Sequence, residues 1–430
     1  MKIEFIPTVE ETISTLNIHL NDTPIYLDYD KSLYAHARAN NKCGKLKPML
    51  EGAIKEFIPG IDAKNAFVSF LMSSPEGRLW TWKTETGGIS LNKDAVKAAM
   101  ESPMFSDEFK AKLQLFAEYQ RTCSYRSSIQ SLFRYAHVSD KISKDRTRMI
   151  ELKPDWVAQN TGRIGMQNPA IQNIDRELQE LQTAPIGFNK VHCDTRQLEP
   201  RITISWVLND PVIERLVELY DDAYYAYYHF CMYRETLSQP LSEMKPREIT
   251  DDMVSGRKKI KTYGNGVMYG STSNPEGDPV KDAMIRYIGG HPGRLAYLEK
   301  LQYYIDRRLE IPTYFGTNIN IYKSKKLVGE NPSYYEKELQ KLAINNSIQG
   351  TAADMMRASV ANASNTILSK ESRARIAEYI HDAAVLIVPD EEMDSLQSLY
   401  SDIVSYDIDG WIPIPQETEI NKEWEDIWRS

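Results

Sequence analysis

The sequence lacks several features that would each assign it to a particular class. No apolar run approaches the roughly 18 residues that a membrane-spanning helix needs, and the N-terminal MKIEFIPTVEET has no signal-peptide core. We therefore expect a cytoplasmic protein with no membrane partner. Cysteine is scarce, with 4 residues in the chain and no C-x-x-C pair. Scattered thiols disfavour zinc or disulfide chemistry and indicate a reducing compartment.

The chain also lacks an excess of basic charge. It has 52 Lys and Arg against 60 Asp and Glu, so its formal net charge is −8. This balance argues against a non-specific nucleic-acid coat protein but does not exclude an enzyme with a locally basic cleft. The basic residues are bunched, as KISKDRTR at 141–148, RKKIK at 257–261 and KSKK at 323–326. Each cluster alone is typical of a solvated surface, whereas three together indicate phosphate contacts.

Hydrophobic periodicity and turn residues predict a mixed helix and strand chain. The tyrosines near 220–230 are expected to pack between helices rather than to stack on bases. The glycines at 264 and 266 lower helix propensity and predict a close approach to that backbone. The predicted elements are a helix after Asn92, helices over 107–136 and 213–235, a strand over 187–194 followed by a helix through 202–208, helices over 255–270 (capped by Ser255) and 341–368, and a hairpin over 377–388.

Two aspartates each end an apolar, strand-like run: Asp194 in VHCDTRQLEPR and Asp382 in IHDAAVLIVP. An aspartate in such a place usually ends a strand or caps a helix. Here, however, a basic helical stripe at 257–261 and the block NNSIQGTAAD at 345–354 lie between them. Two strand-end carboxylates can hold divalent ions roughly 3.5–4 Å apart, and a cationic helix can clamp a triphosphate. These are the requirements of in-line nucleotidyl transfer.

Five segments stand out in chain order: TGRIGMQNPAIQNI at 161–174, DTRQLEPR at 194–201, RKKIKTYGNGVMYG at 257–270, NNSIQGTAAD at 345–354 and IHDA at 380–383. Together they resemble the motifs of the family A DNA polymerases, which are typified by bacterial DNA polymerase I and many phage replicases. The blocks around IQGTAAD and the spaced R/K/YG pattern are each fairly specific, and five motifs in order are a strong signal.

The resemblance implies an α+β right-hand polymerase fold with an antiparallel-sheet palm, helical fingers and a helical thumb. It extends from about residue 66 to the C-terminus, where NKEWEDIW at 421–428 is also similar to the family. The predicted divisions are an N-terminal region of unclear role (1–65), an N-terminal helical segment and thumb (66–150), the first part of the palm (151–210), the fingers (211–340) and the second part of the palm (341–430).

Matching positions imply a metal site. Asp194 and Asp382 match the family's metal-binding aspartates, and the main-chain carbonyl of Thr195 matches an oxygen that also reaches a metal ion. The implied cofactor is a pair of Mg²⁺ ions, for which Mn²⁺ can substitute. One ion would lower the pKa of the primer 3′-hydroxyl and the other would neutralise the leaving pyrophosphate. Lys261 completes the implied catalytic set as a proton donor to the leaving group.

The nucleotide site is implied in the same way. Arg257 and Lys261 match the triphosphate clamp, in which arginine offers a fork of donors and lysine a compact charge. Glu199 matches the residue whose side chain fills the space that a ribose 2′-hydroxyl needs. Tyr269 matches the ring that stacks at the insertion site and hydrogen-bonds that glutamate. Asn265 belongs to the same helix face.

Six residues match positions implied to contact the primer–template. Three of them, Arg163, Asn345 and Gln349, would read the minor-groove acceptors that every base pair offers, which tests geometry rather than sequence. His381 matches a residue next to the primer terminus. The six are Arg163, Gln172, Asn173, Asn345, Gln349 and His381.

Three positions depart from the family pattern. Asn265 stands where the family has Phe or Tyr, which places discrimination against sugar-modified nucleotides in doubt. Ala383 replaces the acidic residue that often follows the catalytic aspartate, so a third acidic group is expected to be absent. The chain reads DAY at 222–224 where many relatives have Asp-x-His, so a histidine contact to the triphosphate is expected to be lost.

The sequence thus predicts a template-directed DNA polymerase whose partners are primer–template DNA and dNTPs, and which would act in the host cytoplasm if it is encoded by a phage. Proofreading is not expected, because 1–65 offers little chain for an exonuclease domain and Asp28 and Asp30 are typical of a solvated turn. Two alternatives stay open. One is a phage-type single-subunit RNA polymerase, against which Glu199 and the QGTAAD block argue. The other is a catalytically weak nucleic-acid-binding relative. No particular accessory protein is indicated.

Overall fold

The structure is a computed structural model. It describes residues 3, 5–22, 24–54, 63–83, 88–144, 146–173, 178, 181–274, 277–323 and 332–421. The side chain of Asn173, most of the KSKK cluster and most of NKEWEDIW lie outside these residues. The chain forms two compact units, of which the first contains Met1–Ile25, Lys153–Gln172 and Gly187–Ser430, and the second Tyr26–Leu152 and Asn173–Ile186.

The strands are β1 (Ile25–Asp28), β2 (His137–Ile142), β3 (Arg148–Leu152), β4 (Asp155–Ala158), β5 (Ile164–Gln167), β6 (Phe188–Thr195), β7 (Ile311–Pro312), β8 (Asn318–Ile319), β9 (Arg375–Ile380), β10 (Ala383–Pro389) and β11 (Gln416–Ile420). The α-helices are Val9–Asp22, Tyr29–Ala53, Ala63–Ser73, Lys93–Glu101, Asp107–Arg134, Leu198–Ile202, Pro211–Tyr220, Ala223–Met232, Asp251–Met268, Pro279–Met284, Pro292–Asp306, Pro332–Ser369 and Gln397–Asp402. No helix in the described part of the chain combines the length and apolar character that a bilayer crossing requires.

The first unit is built around an antiparallel sheet with the order β11-β6-β10-β9. Strand β10 is buried along its whole length, which explains its continuous apolar sequence AAVLIVP. Burial alternates along β6, because successive side chains of a strand point to opposite faces. Val191 and Cys193 therefore face the core while Asp194 faces solvent. The helix Pro332–Ser369 supplies much of the remaining core, since every residue over 351–360 is buried.

The second unit combines a three-stranded sheet of order β1-β3-β2 with long helices. Its core is strongly aromatic, and the rings of Phe67 and Phe116 stack with centroids 4.2 Å apart. Asp28 is not solvated, so the prediction of a solvated turn was wrong for this residue. It is buried, it caps the helix Tyr29–Ala53 by accepting from Lys31 N (2.8 Å), and it accepts from the Thr147 hydroxyl (2.6 Å).

Several predicted elements are confirmed. Asn92 caps a helix by accepting from Ala95 N, at 2.8 Å. The helix predicted over 107–136 is Asp107–Arg134, and the hairpin predicted over 377–388 is formed by β9 and β10. The tyrosine-rich segment packs as expected, since Tyr227 and Tyr228 are buried.

Other element boundaries were wrong. The helix predicted to begin at Ser255 begins at Asp251, because Thr250 accepts from Met253 N (3.3 Å) and caps it. The segment 213–235 is interrupted at Asp221, whose backbone is left-handed with φ +48°. The helix predicted from 341 already begins at Pro332. The first two errors arose where a cap or a turn conformation, rather than apolar periodicity, decides the boundary.

The predicted divisions of the chain also differ from the compact units. A boundary at 340/341 would cut the helix Pro332–Ser369, and residues 1–65 are divided between the two units. Residues 137–142 and 148–150, predicted as part of a helical thumb, lie in β2 and β3 instead. The alternating sequence of these two short strands follows directly after a long helix. The helical periodicity of that neighbouring segment led to the wrong prediction.

Candidate active site

The two aspartates lie side by side at one end of the central sheet. In the antiparallel pairing of β6 with β10, Asp194 lies opposite Ala383. The N–H of Thr195 donates to the carbonyl of Asp382 at 3.0 Å, and Asp382 belongs to the two-residue turn between β9 and β10. The predicted convergence of Asp194 and Asp382 is therefore confirmed as a placement. The residue before Asp382, His381, has a left-handed backbone with φ +49° at the tip of the turn.

Position 383 itself carries no carboxylate, but strand β11 brings a further acidic residue beside Asp194. Strand β11 pairs with β6 so that Glu417 lies opposite Asp194 and Glu419 lies opposite His192. The sequence could not show this, because β11 follows β10 by more than twenty residues and carries no motif that indicates its neighbour. The acidic end of the sheet thus comes from the two strands β6 and β11 and from the turn between β9 and β10.

The electrostatics of this end favour positive charge. Asp194 reaches solvent on one side, yet burial of its carboxylate and the charges of Asp382, Glu417 and Glu419 raise its pKa to about 6. Burial also raises the pKa of Asp382, although the nearby Arg163 acts in the opposite direction. Desolvated carboxylates that repel each other are stabilised by a proton or by a bound cation.

The donor set fits a hard divalent cation. The hydroxyl of Thr195 donates to the carbonyl of Val404 at 3.0 Å, which leaves the main-chain carbonyl as the group of Thr195 that could reach a metal. Two carboxylates and a carbonyl are the oxygen ligands that Mg²⁺ prefers. Within the described residues, no group of three or more His, Cys, Asp and Glu side chains is arranged to hold a metal ion. Any metal here would therefore rely on main-chain, substrate or water oxygens as well.

Glu199 is held by three donors beside the aspartates. Its Oε1 accepts from Arg163, and its Oε2 accepts from the Tyr269 hydroxyl at 2.8 Å and from the Asn265 amide at 3.2 Å. The contact between Tyr269 and Glu199 that the resemblance implied is confirmed. The contact from Asn265 was not predicted. An amide at this position replaces an aromatic ring with an additional hydrogen bond to Glu199.

The loop that carries Arg163 is fixed by a buried ion pair that sequence reasoning missed. Arg357 donates to the carbonyl of Gly162 at 2.8 Å, to the carbonyl of Pro7 at 2.9 Å and to Asp354. The side chains of Arg357 and Asp354 are 2% and 0% exposed. A signal was available, since Asp354 ends the block NNSIQGTAAD and Arg357 follows at i+3, which is a helical pair spacing.

A second arginine pair, also missed, connects the Asp194 segment to its surroundings. Arg196 bridges Glu417 (2.9 Å) and Asp221 (2.6 Å). Arg201 is 1% exposed and donates to the carbonyl of Pro413 at 2.6 Å and to Asp221. These contacts hold the short helix Leu198–Ile202, and with it Glu199, against the end of the sheet.

The helix Asp251–Met268 presents Arg257, Lys261 and Asn265 at intervals of four residues, and Tyr269 follows as its C-cap. This spacing predicted one helix face, and both Asn265 and Tyr269 reach Glu199. Lys261 is exposed. Arg257 is instead engaged by Asp222, with its Nη2 and Nε at 2.7 and 3.0 Å from Oδ2.

Among the described residues, no protein group makes the close approach predicted at Gly264 and Gly266. A Cβ at either position would have only ordinary contacts, at 3.8 Å. The close approach occurs at Gly256, where a Cβ would lie 1.9 Å from the Tyr228 ring. Gly256 therefore allows the helix Asp251–Met268 to pack tightly on the helix Ala223–Met232.

The residues predicted to contact the primer–template differ in their exposure to solvent and in their hydrogen bonds within the chain. Asn345 and Gln349 are half-buried one turn apart on the helix Pro332–Ser369, and His381 is exposed. Gln172 is occupied by main-chain groups: its amide donates to the carbonyls of Ile164 (3.1 Å) and Tyr379 (2.5 Å) and accepts from Met166 N (3.0 Å). The side-chain amide of Gln172 is therefore engaged within the chain, and its contact with DNA stays a prediction.

The family model described as DNA polymerase family A matches residues 81–426. The DNA polymerase I of Pseudomonas aeruginosa is 23% identical over 349 residues, which cover 77% of this chain and 36% of that protein. The thermostable DNA polymerase I of Thermus aquaticus is 23% identical over 320 residues, covering 71% and 36%. This chain therefore spans about a third of the length of these curated relatives.

One solved structure shows the same fold. The POL domain of Pol1 from M. smegmatis, in complex with DNA primer-template and dNTP, superposes with a TM-score of 0.74 at 18% sequence identity. The match covers 97% of this chain and 70% of that one. The predicted α+β polymerase fold with an antiparallel sheet is thereby confirmed.

Proposed function

Because this chain belongs to the DNA polymerase family A, we propose that it extends a primer on a DNA template by adding dNTPs to the 3′-hydroxyl and releasing pyrophosphate. The observation that carries the proposal is the convergence of Asp194 and Asp382 at the end of β6 and β10. Extension of a primed DNA template in the presence of Mg²⁺ tests it directly. Supplying rNTPs instead of dNTPs separates this function from that of an RNA polymerase.

Asp194, Asp382 and the carbonyl of Thr195 are the groups that would hold Mg²⁺, or Mn²⁺ in its place. When bound, the ions would supply charge neutralisation at the primer hydroxyl and at the leaving pyrophosphate. The raised pKa values of both aspartates support this assignment, since a bound cation offsets the burial and the repulsion between carboxylates that raise them.

The chain's own side chains would perform the remaining steps. Arg257 and Lys261 would bind the triphosphate, and Lys261 could pass a proton to the leaving group. Arg163, Asn345 and Gln349 would test the minor groove of the terminal base pair, with His381 beside the primer end. We assign the sheet β11-β6-β10-β9 to the palm and the helix Asp251–Met268 to the fingers. The absence of proofreading stays a prediction.

Glu199 is proposed to be the steric gate against ribonucleotides. Its Ala variant opens space beside the sugar and leaves the donors of Arg163, Asn265 and Tyr269 without their acceptor. We expect Glu199→Ala to raise rNTP relative to dNTP incorporation by at least about tenfold, since each ~1.4 kcal/mol of transition-state penalty is tenfold in rate. The ratio of kcat/KM for matched dNTP and rNTP measures this effect.

Glu199→Gln is the matched control for the gate. Glutamine keeps the volume of the side chain and an acceptor oxygen, so most of the discrimination should persist. If the ratio were unchanged in Glu199→Ala, the gate would be disproved, because that variant removes the volume on which discrimination depends.

Binding of primed DNA should depend steeply on salt despite the net charge of −8. Each phosphate contact releases counterions, which contributes a slope of about −0.9 to log K against log salt concentration. Fluorescence anisotropy of a labelled primer–template over a range of salt concentrations measures the slope. A flat plot would remove the case for locally basic DNA contacts.

A further inference from the structure

The buried carboxylate of Asp222 accepts an unusual number of hydrogen bonds. Its Oδ1 accepts from Tyr225 N at 2.8 Å and so caps the helix Ala223–Met232. Its Oδ2 accepts from the Gln197 amide at 2.6 Å and from two nitrogens of Arg257. Asp222 is 7% exposed. It is the first residue of the DAY segment, which the proposed function leaves without a role.

The contact with Arg257 uses only one edge of the guanidinium. Nε and Nη2 both donate to Oδ2, at 3.0 and 2.7 Å, whereas no contact among the described residues engages Nη1. A guanidinium carries five N–H donors in a rigid plane, and either of two edges can bind an anion with parallel hydrogen bonds. The edge formed by Nη1 and the second Nη2 hydrogen therefore stays available to phosphate oxygens.

We propose that Asp222 is a positioning residue that holds the Nε edge of Arg257 and thereby aims its outer edge at the triphosphate of the incoming nucleotide. The inference rests on the proposed function and deepens it. Asp222 touches no substrate in this assignment. It acts through Arg257, whose side chain is 28% exposed and would otherwise sample several rotamers.

The surroundings of Arg257 fit a fixed orientation. The close contact of Gly256 with Tyr228 fixes the spacing of the two helices that carry Arg257 and Asp222. The hydroxyl of Tyr228 adds a hydrogen bond to Asp252 at 2.7 Å. The guanidinium carbon also lies 5.4 Å from the centroid of the Tyr224 ring, within the range of a cation–π interaction. Tyr224 is the residue that replaces the expected histidine.

Gln197 connects this arrangement to the carboxylates of the sheet. The side-chain nitrogen of Gln197 donates to Asp222, and its side-chain oxygen accepts from Ala223 N at 2.7 Å. Gln197 lies three residues after Asp194, in a left-handed turn with φ +57°. The orientation of Arg257 is thus tied through Asp222 to the segment that carries Asp194. In the alternative arrangement, Asp222 would compete with the triphosphate for the same donors of Arg257. We call this alternative a latch.

Asp222→Asn is the informative variant, because asparagine still caps the helix but loses the charge that holds Arg257. Positioning predicts that KM for dNTP rises roughly tenfold while kcat changes less, since small misplacements of a binding group are costly. A latch predicts that KM falls, which would overturn the proposal. An unchanged KM would also overturn it.

The chain offers a matched control in Asp278→Asn. Asp278 likewise caps a helix, by accepting from Val280 N at 2.8 Å, and likewise pairs with a basic residue of the helix Asp251–Met268, Lys259, at 2.8 Å. Its loss should leave KM for dNTP unchanged. Thermal melting of both variants checks that each stays folded.

A double-mutant cycle shows whether Asp222 acts through Arg257. In an Arg257→Ala background, Asp222→Asn should have no further effect on KM, because the group that it positions is absent. A persistent, additive effect would assign Asp222 a merely structural role and overturn the proposal. If the unmodified chain fails to extend a primer, the proposed function itself fails. If it extends normally and KM does not respond to Asp222→Asn, only this inference fails.

Discussion

Primer extension should fall by at least about 100-fold in Asp194→Asn and in Asp382→Asn, while binding of primer–template stays close to that of the unmodified chain. The loss of a residue that merely supports a metal ligand already costs roughly 10–100-fold, so the loss of a ligand should cost more. Asparagine preserves shape and keeps one acceptor oxygen, which limits structural damage. Single-turnover extension under saturating dNTP and Mg²⁺ measures the effect, and anisotropy measures binding.

Asp390→Asn is the control for these two variants. Asp390 follows the opposite end of β10 and accepts from Asn189 of β6 at 2.7 Å, so it belongs to the same strand pair away from the acidic end. Its substitution should leave extension unaffected. Near-normal extension by either Asp194→Asn or Asp382→Asn would show that the metal assignment is wrong.

Arg357→Ala should destabilise the chain by about 3–5 kcal/mol, the usual effect of removing one partner of a buried ion pair. The substitution leaves the carboxylate of Asp354 buried without its charge partner, and it removes the donors to the carbonyls of Gly162 and Pro7. Urea denaturation measures the change in unfolding free energy. Catalysis should also weaken, because Gly162 precedes Arg163, which donates to Glu199.

The pH dependence of this defect has a definite sign. Burial raises the pKa of Asp354 even with Arg357 beside it. Without the arginine, the folded state should bind a proton at Asp354 more readily than the unfolded state does. The stability lost by Arg357→Ala at neutral pH should therefore return in part as the pH falls.

Two comparisons separate this mechanism from a general loss of packing. Replacing both Arg357 and Asp354 by leucine should recover part of the stability, because an apolar pair leaves no buried charge. Arg373→Ala removes an arginine from an exposed pair with Glu391, in which the side chains are 61% and 60% exposed. That loss should cost less than about 1 kcal/mol. Equal destabilisation by Arg357→Ala and Arg373→Ala would contradict the argument.

The sequence by itself determined the features that depend on residues close together along the chain. Asp194 and Asp382 could be identified as strand-end residues because each follows an apolar run of β-strand length. The helical period of 3.6 residues placed Asn265 and Tyr269 on one face of a helix, and both reach Glu199. The order of five short motifs then indicated the family, whose model matches residues 81–426.

Only the tertiary structure decided which elements meet. Strand β11 brings Glu417 opposite Asp194, and the fold brings Asp222 to Arg257 across 35 positions of sequence. Arg357 reaches back 195 positions to Gly162. Local propensity carries no information about such partners, because the free energy of each contact depends on sheet order and helix packing rather than on flanking residues. The two aspartates at the strand ends could therefore be predicted, whereas the groups that orient them and shift their pKa values could not.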